Sequence, residues 1–252
     1  AGKQRSWLRH TIDPANKAAG KLGADGVRLD DFNGDGLLDI TTGWEQGGAI
    51  VVYQNPGPAK AKFGWPSVTV GMVRSPEDAV FADLDADGNL DVVSSCEGRE
   101  QSMYVHWAPA KQADYLKSSA WTTEVIAATK QKQSWMFAEP AQIDGRTGIE
   151  LFVSSKGANG SIGWLKLPTD RQQARKVSQW QFIKLRDAGW VMTLKAMDMD
   201  GDGDSDLLFS DRKGKKRGVS WLENPGREKV SNRGEWKEHV LGGREHEVMF
   251  LS

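Results

Sequence analysis

Short apolar runs alternate along this chain with turns rich in Asp and Gly, and one order of elements recurs four times. An apolar stretch comes first, at residues 26–29, 78–81, 138–141 and 193–196. A nine-residue polar loop follows, then a β-branched or aliphatic run at 40–42, 92–95, 151–155 and 207–210. A third run ends at Pro56, Pro109, Pro168 and Pro225, and a fourth opens on Trp65, Trp121, Trp180 and Trp236. Runs of this length and composition, bounded by turn residues, predict strands. No long helical periodicity interrupts them; the weakly helical stretch 109–119 reads as an insertion between third and fourth strands. The loops start at 31, 83, 142 and 198, so the units repeat at 52, 59 and 56 residues, a spacing that calls for a repeat architecture. Four antiparallel strands per unit predict an all-β propeller with four complete four-stranded blades, in one domain over residues 1–252. Residues 7–12 and 247–252 predict extra strands at both ends, as in an incomplete fifth blade or a truncated longer propeller.

The polar loops carry the candidate chemistry. Acidic or amide side chains stand at positions 1, 3, 5 and 9: Asp31, Asn33, Asp35 and Asp39; Asp83, Asp85, Asp87 and Asp91; Asp198, Asp200, Asp202 and Asp206. Carboxylates this crowded repel one another unless a cation sits among them, and hard oxygen ligands on a flexible loop suit calcium. The backbone carbonyls of Leu37, Asn89 and Asp204, at position 7, complete the expected ligand set for about three Ca2+ ions. An EF-hand is excluded, because position 12 is Thr42, Ser94 or Phe209 and strand residues follow instead of a helix. The fourth loop offers Gln142, Asp144, Arg146 and Glu150. There the Arg146 guanidinium is expected to bridge Asp144 and Glu150 in place of an ion.

These loops and their strand order resemble the FG-GAP/VCBS repeat family of integrin-like propellers and bacterial surface proteins, from Gly26 to Val240. The endings Asn55-Pro56-Gly57 and Asn224-Pro225-Gly226, with the Trp7/His10 and Trp236/His239 pairs, look like a bacterial subgroup. A weaker similarity is to the repeat of aldos-2-ulose dehydratase. The resemblance implies a fold more than a function.

Net charge is −1, which implies neither nucleic acid nor an anionic membrane as partner. No apolar run has the length of a membrane span, so no membrane insertion is expected. The single Cys96 excludes an internal disulfide. Loops of this kind fill where calcium is abundant, which points to a secreted, periplasmic or cell-surface location.

Propeller geometry places the polar loops on one face and gathers non-repeating residues on the other. Asp25, Glu77, Asp78, Trp135, Trp190, Arg244, Glu245, His246 and Glu247 come from connections between units. Trp44, Glu45, Glu97, Arg99, Lys156, Asp211, Arg212 and Lys213 follow the second strands. Trp44, Trp135 and Trp190 fall outside the repeated tryptophan positions and read as loop aromatics available for contact. With Asp78 and Arg212 they form the candidate ligand-binding set. His246, Lys156, Arg212 and Glu97 are the candidate catalytic groups, His246 because it matches no repeat position. His10 and His239 are repeat equivalents, and His106 lies inside a third strand, so structural roles are expected of them. The basic run 212–217 reads as an exposed hairpin turn, with acidic polysaccharide as its partner if it has one. The sequence thus predicts a calcium-binding recognition module whose partner is a glycan or a cell-surface protein. The alternatives are a carbohydrate-active lyase or dehydratase and a protein–protein adhesion scaffold.

Overall fold

The computed structural model describes residues 8–146, 148–170 and 173–251. Among these residues sixteen strands form four antiparallel sheets, each built from strands consecutive in the chain. The first holds β1 (Ala24–Asp30), β2 (Asp39–Trp44), β3 (Ala49–Tyr53) and β4 (Ser67–Met72). The second holds β5 (Pro76–Ala82), β6 (Asp91–Cys96), β7 (Met103–Trp107) and β8 (Thr122–Val125). The third holds β9 (Ser134–Ala141), β10 (Glu150–Lys156), β11 (Ser161–Lys166) and β12 (Gln181–Asp187). The fourth holds β13 (Val191–Met197), β14 (Asp206–Asp211), β15 (Gly218–Glu223) and β16 (Lys237–Gly242). All four predicted units are therefore present, with their loops between first and second strands.

The terminal strands are not. Residues 8–12 and 247–251 form no strand, and Trp7 lies outside the described residues. The N-terminal segment instead closes a short turn through the Asn16–Lys21 bridge. The C-terminal segment is tied to side chains of the fourth sheet: Ser210 Oγ donates to the Met249 carbonyl and Leu251 N–H donates to Thr193 Oγ1. Bonds to side chains do not extend the ladder, so no fifth sheet begins there.

Apolar clusters join the sheets in sequence. Val80, Val105 and Trp107 of the second sheet pack with Trp135, Leu151 and Leu165 of the third. Ile50, Val52 and Val68 of the first meet Phe81 and Val92 of the second. Phe152 and Trp164 of the third meet Leu194, Phe209 and Leu222 of the fourth. Among the described residues no such cluster joins the fourth sheet to the first. β1 is accordingly exposed along most of its length, whereas β5 is buried throughout.

The tryptophans close turns. Trp121, Trp180 and Trp236 each donate the indole N–H to a carbonyl six residues earlier, on Tyr115, Ala174 and Val230. Trp135 does the same to Thr129. It lies fully buried in β9, not in a loop. Trp44 is the last residue of β2, buried, with its indole N–H donated to the Tyr53 hydroxyl. Both are core residues, which removes them from the set expected to face a ligand.

Candidate functional site

Two clusters of carboxylates stand apart, one in the loops after the first strands and one where the first strands begin. In the loops, three copies share one conformation. Position 6 is Gly36, Gly88 or Gly203, all with positive φ. Position 4 is Gly34, Ala86 or Gly201, and even Ala86 sits at φ 60°, a strained value for a residue with a Cβ. The first carboxylate accepts two backbone N–H groups from its own loop: Asp31 from Asp35 and Gly36, Asp83 from Asp87 and Gly88, Asp198 from Gly201 and Gly203. The last carboxylate, buried in every copy, clamps the loop to the end of the third strand. Asp39 accepts from Phe32 and Asn55, Asp91 from Leu84 and Ala108, and Asp206 from Met199 and Asn224. Sequence reading treated position 9 only as an ion ligand; the structure shows that it also anchors the loop.

The donor set fits a hard cation. Asp83, Asp85 and Asp87 offer oxygens within 4.8 Å of one another, as do Asp198, Asp200 and Asp206. Asp204 Oδ1 is buried with no hydrogen-bond partner. Burial, then Asp202 and the other loop carboxylates, push the Asp204 carboxyl up to about 7. Burial pushes Asp91 up to about 8 and raises Asp39 and Asp83. Carboxylates whose charged forms are this unfavourable are the ones a divalent cation relieves. The loop 142–150 differs. Arg146 Nη1 lies 3.5 Å from Asp144 Oδ2, an ion pair internal to the loop.

At the other end, the first strands of all four sheets and the turns beside them line one cavity of about 880 Å³. Every first strand has a register irregularity against its second strand near its start, at residues 25–27, 76–78, 135–138 and 191–193. Bulges re-aim side chains, and they bring residues such as Glu77 and Met192 to the cavity wall. Gly26 meets β5 so closely that a Cβ there would lie 2.5 Å from the Glu77 carbonyl, so glycine is required for this approach.

The cavity contains six acidic groups, Asp25, Glu45, Glu77, Asp78, Glu97 and Glu139, against Arg28, Lys156 and Lys195. Glu45, Glu77 and Glu97 bring carboxylate oxygens within 4.8 Å of one another. Lys156 already supplies a cation there, with Nζ 3.3 Å from Glu77 and in direct contact with Glu97. Burial first, and the hydrogen bond to Glu97 second, push Glu77 up to about 7. For Lys156 burial works downward, but Glu97 and Glu77 outweigh it and leave its ammonium above the usual range. Arg28 pairs with Asp78 at 2.8 Å and Glu139 at 3.5 Å, tying β1 to β5 and β9. Trp190 is half-buried at the rim, with Lys156, Arg212 and Lys213 each within 4.8 Å of its ring centroid. Asp211 fixes it by accepting the Gly189 and Trp190 backbone N–H groups.

Of the expected residues, Asp25, Glu45, Glu77, Asp78, Glu97, Lys156 and Trp190 meet in this cavity. His246 does not. It is exposed on a turn closed by its N–H to the Gly243 carbonyl, and it does not line the cavity, so the structure gives it no catalytic setting. Arg212 pairs with Glu247 at 2.7 Å and reaches the site only through Trp190. His106 is enclosed between Ser94 and Thr123 and burial holds it down at about 3, a neutral core imidazole. His239 stacks on Trp221 and bonds Glu223. Phe137, Met136 and Met192 also line the cavity; they sit within apolar strand runs, and sequence gave no signal that separated them from core residues.

An FG-GAP-like repeat model matches residues 31–94, from the first loop through the second loop and into β6. That segment carries an FG-GAP-like repeat, in keeping with the resemblance drawn from the loops. The search of curated proteins returned no match.

Proposed function

We propose that this chain is a calcium-loaded β-propeller that serves as a recognition module outside the cytoplasm, with the cavity end as its working surface and a glycan as its ligand. The four sheets are the blades, and their first strands, adjacent in chain order, surround the cavity. The loops starting at Asp31, Asp83 and Asp198 each take one Ca2+, and the loop at Gln142 takes none. Among the described residues no helix is long and apolar enough to cross a membrane.

The observation that carries the glycan reading is the cavity itself. It combines hydrogen-bonding carboxylates with apolar walls, and its 880 Å³ suits one or two sugar rings. Trp44 and Trp135 are buried, so Trp190 and Phe137 are left to stack on a ring. Six acids against three cations disfavour a uronate or sulfated sugar and favour neutral or amino sugars. A cell-surface protein bearing such a glycan fits the same surface. Trp190→Ala and Glu97→Gln are expected to abolish binding on a glycan array with calcium content and melting temperature nearly unchanged. Retained binding in both variants refutes the cavity as the site.

A lyase or dehydratase reading draws on one observation, the Glu77 carboxyl beside Glu97. Lys156 is held protonated and cannot serve as the base, so that role falls to Glu77. Product release from a bound sugar that Glu77→Gln abolishes replaces recognition by catalysis.

A further inference from the structure

The loops of the first three sheets are each met by the connection between third and fourth strands of the following sheet, and what that connection supplies differs from loop to loop. Loop 31–39 receives a neutral amide: Gln112 Nε2 donates to the Asn33 carbonyl at 2.7 Å. Loop 142–150 is abutted by Arg227, whose Cβ would lie 3.3 Å from a Cβ placed on Gly145. Loop 198–206 has no following sheet, and among the described residues no hydrogen bond or ion pair reaches it from another sheet. Loop 83–91 receives a cation. Arg175, on the connection between β11 and β12, places Nε 2.5 Å from Asp85 Oδ2 and Nη2 3.5 Å from Asp87 Oδ2. The guanidinium also lies over the Trp107 ring, 4.9 Å from its centroid. Its neighbour Ala174 is fully buried and accepts the Trp180 indole N–H, so the backbone that delivers Arg175 is anchored in the core.

Asp85 and Asp87 are ligand positions 3 and 5. The oxygens that Arg175 holds are those a cation in the loop needs. We infer that Arg175 is a built-in competitor of calcium at the second loop: it neutralises Asp85 and Asp87 when the ion is absent and leaves them when the ion binds. This rests on reading the loops as calcium sites. A guanidinium beside an incoming divalent ion repels it, and the pair with Asp85 must break first. The second loop is therefore the weakest of the three. Its filling is coupled to the connection of the neighbouring sheet through an ion pair with two ligand carboxylates; the first loop has there only an amide hydrogen bond to a backbone carbonyl.

The test compares wild type with Arg175→Gln by calcium titration calorimetry and by equilibrium dialysis. Arg175 is nearly half exposed, so the substitution leaves the core intact. Wild type is expected to show two tighter sites and one weaker. In Arg175→Gln the weak site should tighten roughly fivefold to tenfold and join the other two, the scale of an exposed ion pair plus the repulsion removed. The same substitution should lower the melting temperature in chelator, because it deletes the internal cation. Arg175→Lys, which keeps the charge and loses the fork, should leave the weak site weak. An unchanged or weakened third site in Arg175→Gln overturns the competitor role. If wild type binds no calcium at any loop, the calcium reading itself falls.

Discussion

The loop carboxylates and the cavity carboxylates are equally crowded and differently resolved. In loops 31–39 and 198–206 the oxygens are held by backbone N–H groups, with the Asn33 amide also donating to Asp35, and among the described residues no side-chain cation pairs with them. In the cavity each cluster has its own cation, Lys156 for Glu77 and Glu97 and Arg28 for Asp78 and Glu139. The loops fit a cation from outside, whereas four of the cavity's acids are already paired with cations from within, and the cavity keeps an excess of acids and its hydrogen-bonding edges for a ligand. Loop 142–150 and loop 83–91 lie between these cases, with Arg146 inside the loop and Arg175 from the next sheet.

The largest effect that tests this contrast is removal of calcium. An ion at one hundred times its dissociation constant stabilises by about 2.7 kcal/mol per site. A chain of this size shifts its melting temperature by about 2–4 °C per kcal/mol. Chelation should therefore lower the melting temperature by roughly 15 °C or more in scanning calorimetry. Asp87→Ala should be more destabilising than Asp144→Ala with calcium present. In chelator the order should reverse, because Asp87 then loses only exposed contacts, its pairing with Arg175 and the hydrogen bonds from Asn89, while the buried Asp144 leaves Arg146 without its carboxylate partner. An identical ranking under both conditions means that the loops hold no ion.

Next in size is the contrast between two tryptophans that sequence placed together. Trp135→Ala should cost about 3–5 kcal/mol in denaturant unfolding, as for a fully buried aromatic. Trp190→Ala should cost about 1 kcal/mol or less, since its ring is half-buried at the rim and packs against cationic side chains in place of apolar core. Equal losses make Trp190 a core residue and remove the stacking surface from the cavity.

These two residues also mark how far the chain could be read in advance. The loops were legible because ion ligation and the Gly turn demand fixed spacing, and so were the four strand orders. The meeting of Asp25, Glu77, Glu97, Lys156 and Trp190 followed from topology alone, because residues at the starts of first strands and after second strands share one end. Trp135 was misplaced because it precedes the repeated part of its strand. The overlooked signal was its six-residue distance from the Thr129 turn, the spacing used by Trp121, Trp180 and Trp236. The terminal strands were predicted from short apolar runs that cannot show whether a partner edge exists. Arg175 carried no signal, because its partners lie about 90 residues away and the connection that delivers it has no repeated composition.

The smallest effect concerns pH at the cavity. Glu77 titrates near 7 in the folded chain and near its ordinary value of 4.5 when unfolded. Between these values the folded state holds a proton that the unfolded state has released, so folding takes up a proton and stability falls as pH rises. The favourable contribution is complete below about 4.5 and is lost as pH passes 7. The span corresponds to about 2 kcal/mol at most once sharing of the proton with Glu97 and water in the cavity are allowed for. Glu77→Gln removes the titrating group, so the fall in stability between pH 5 and 7.5 should flatten in calcium-saturated protein, where the loops are already charged and filled. Saturation with calcium matters because the loop carboxylates otherwise add a slope of the same sign. If the variant keeps the wild-type slope, the proton belongs elsewhere and the cavity carboxylates are both ionised throughout. A flattened slope leaves Glu77 as the group whose protonation a ligand in the cavity must meet, so ligand affinity should change over the same pH range in wild type and not in Glu77→Gln.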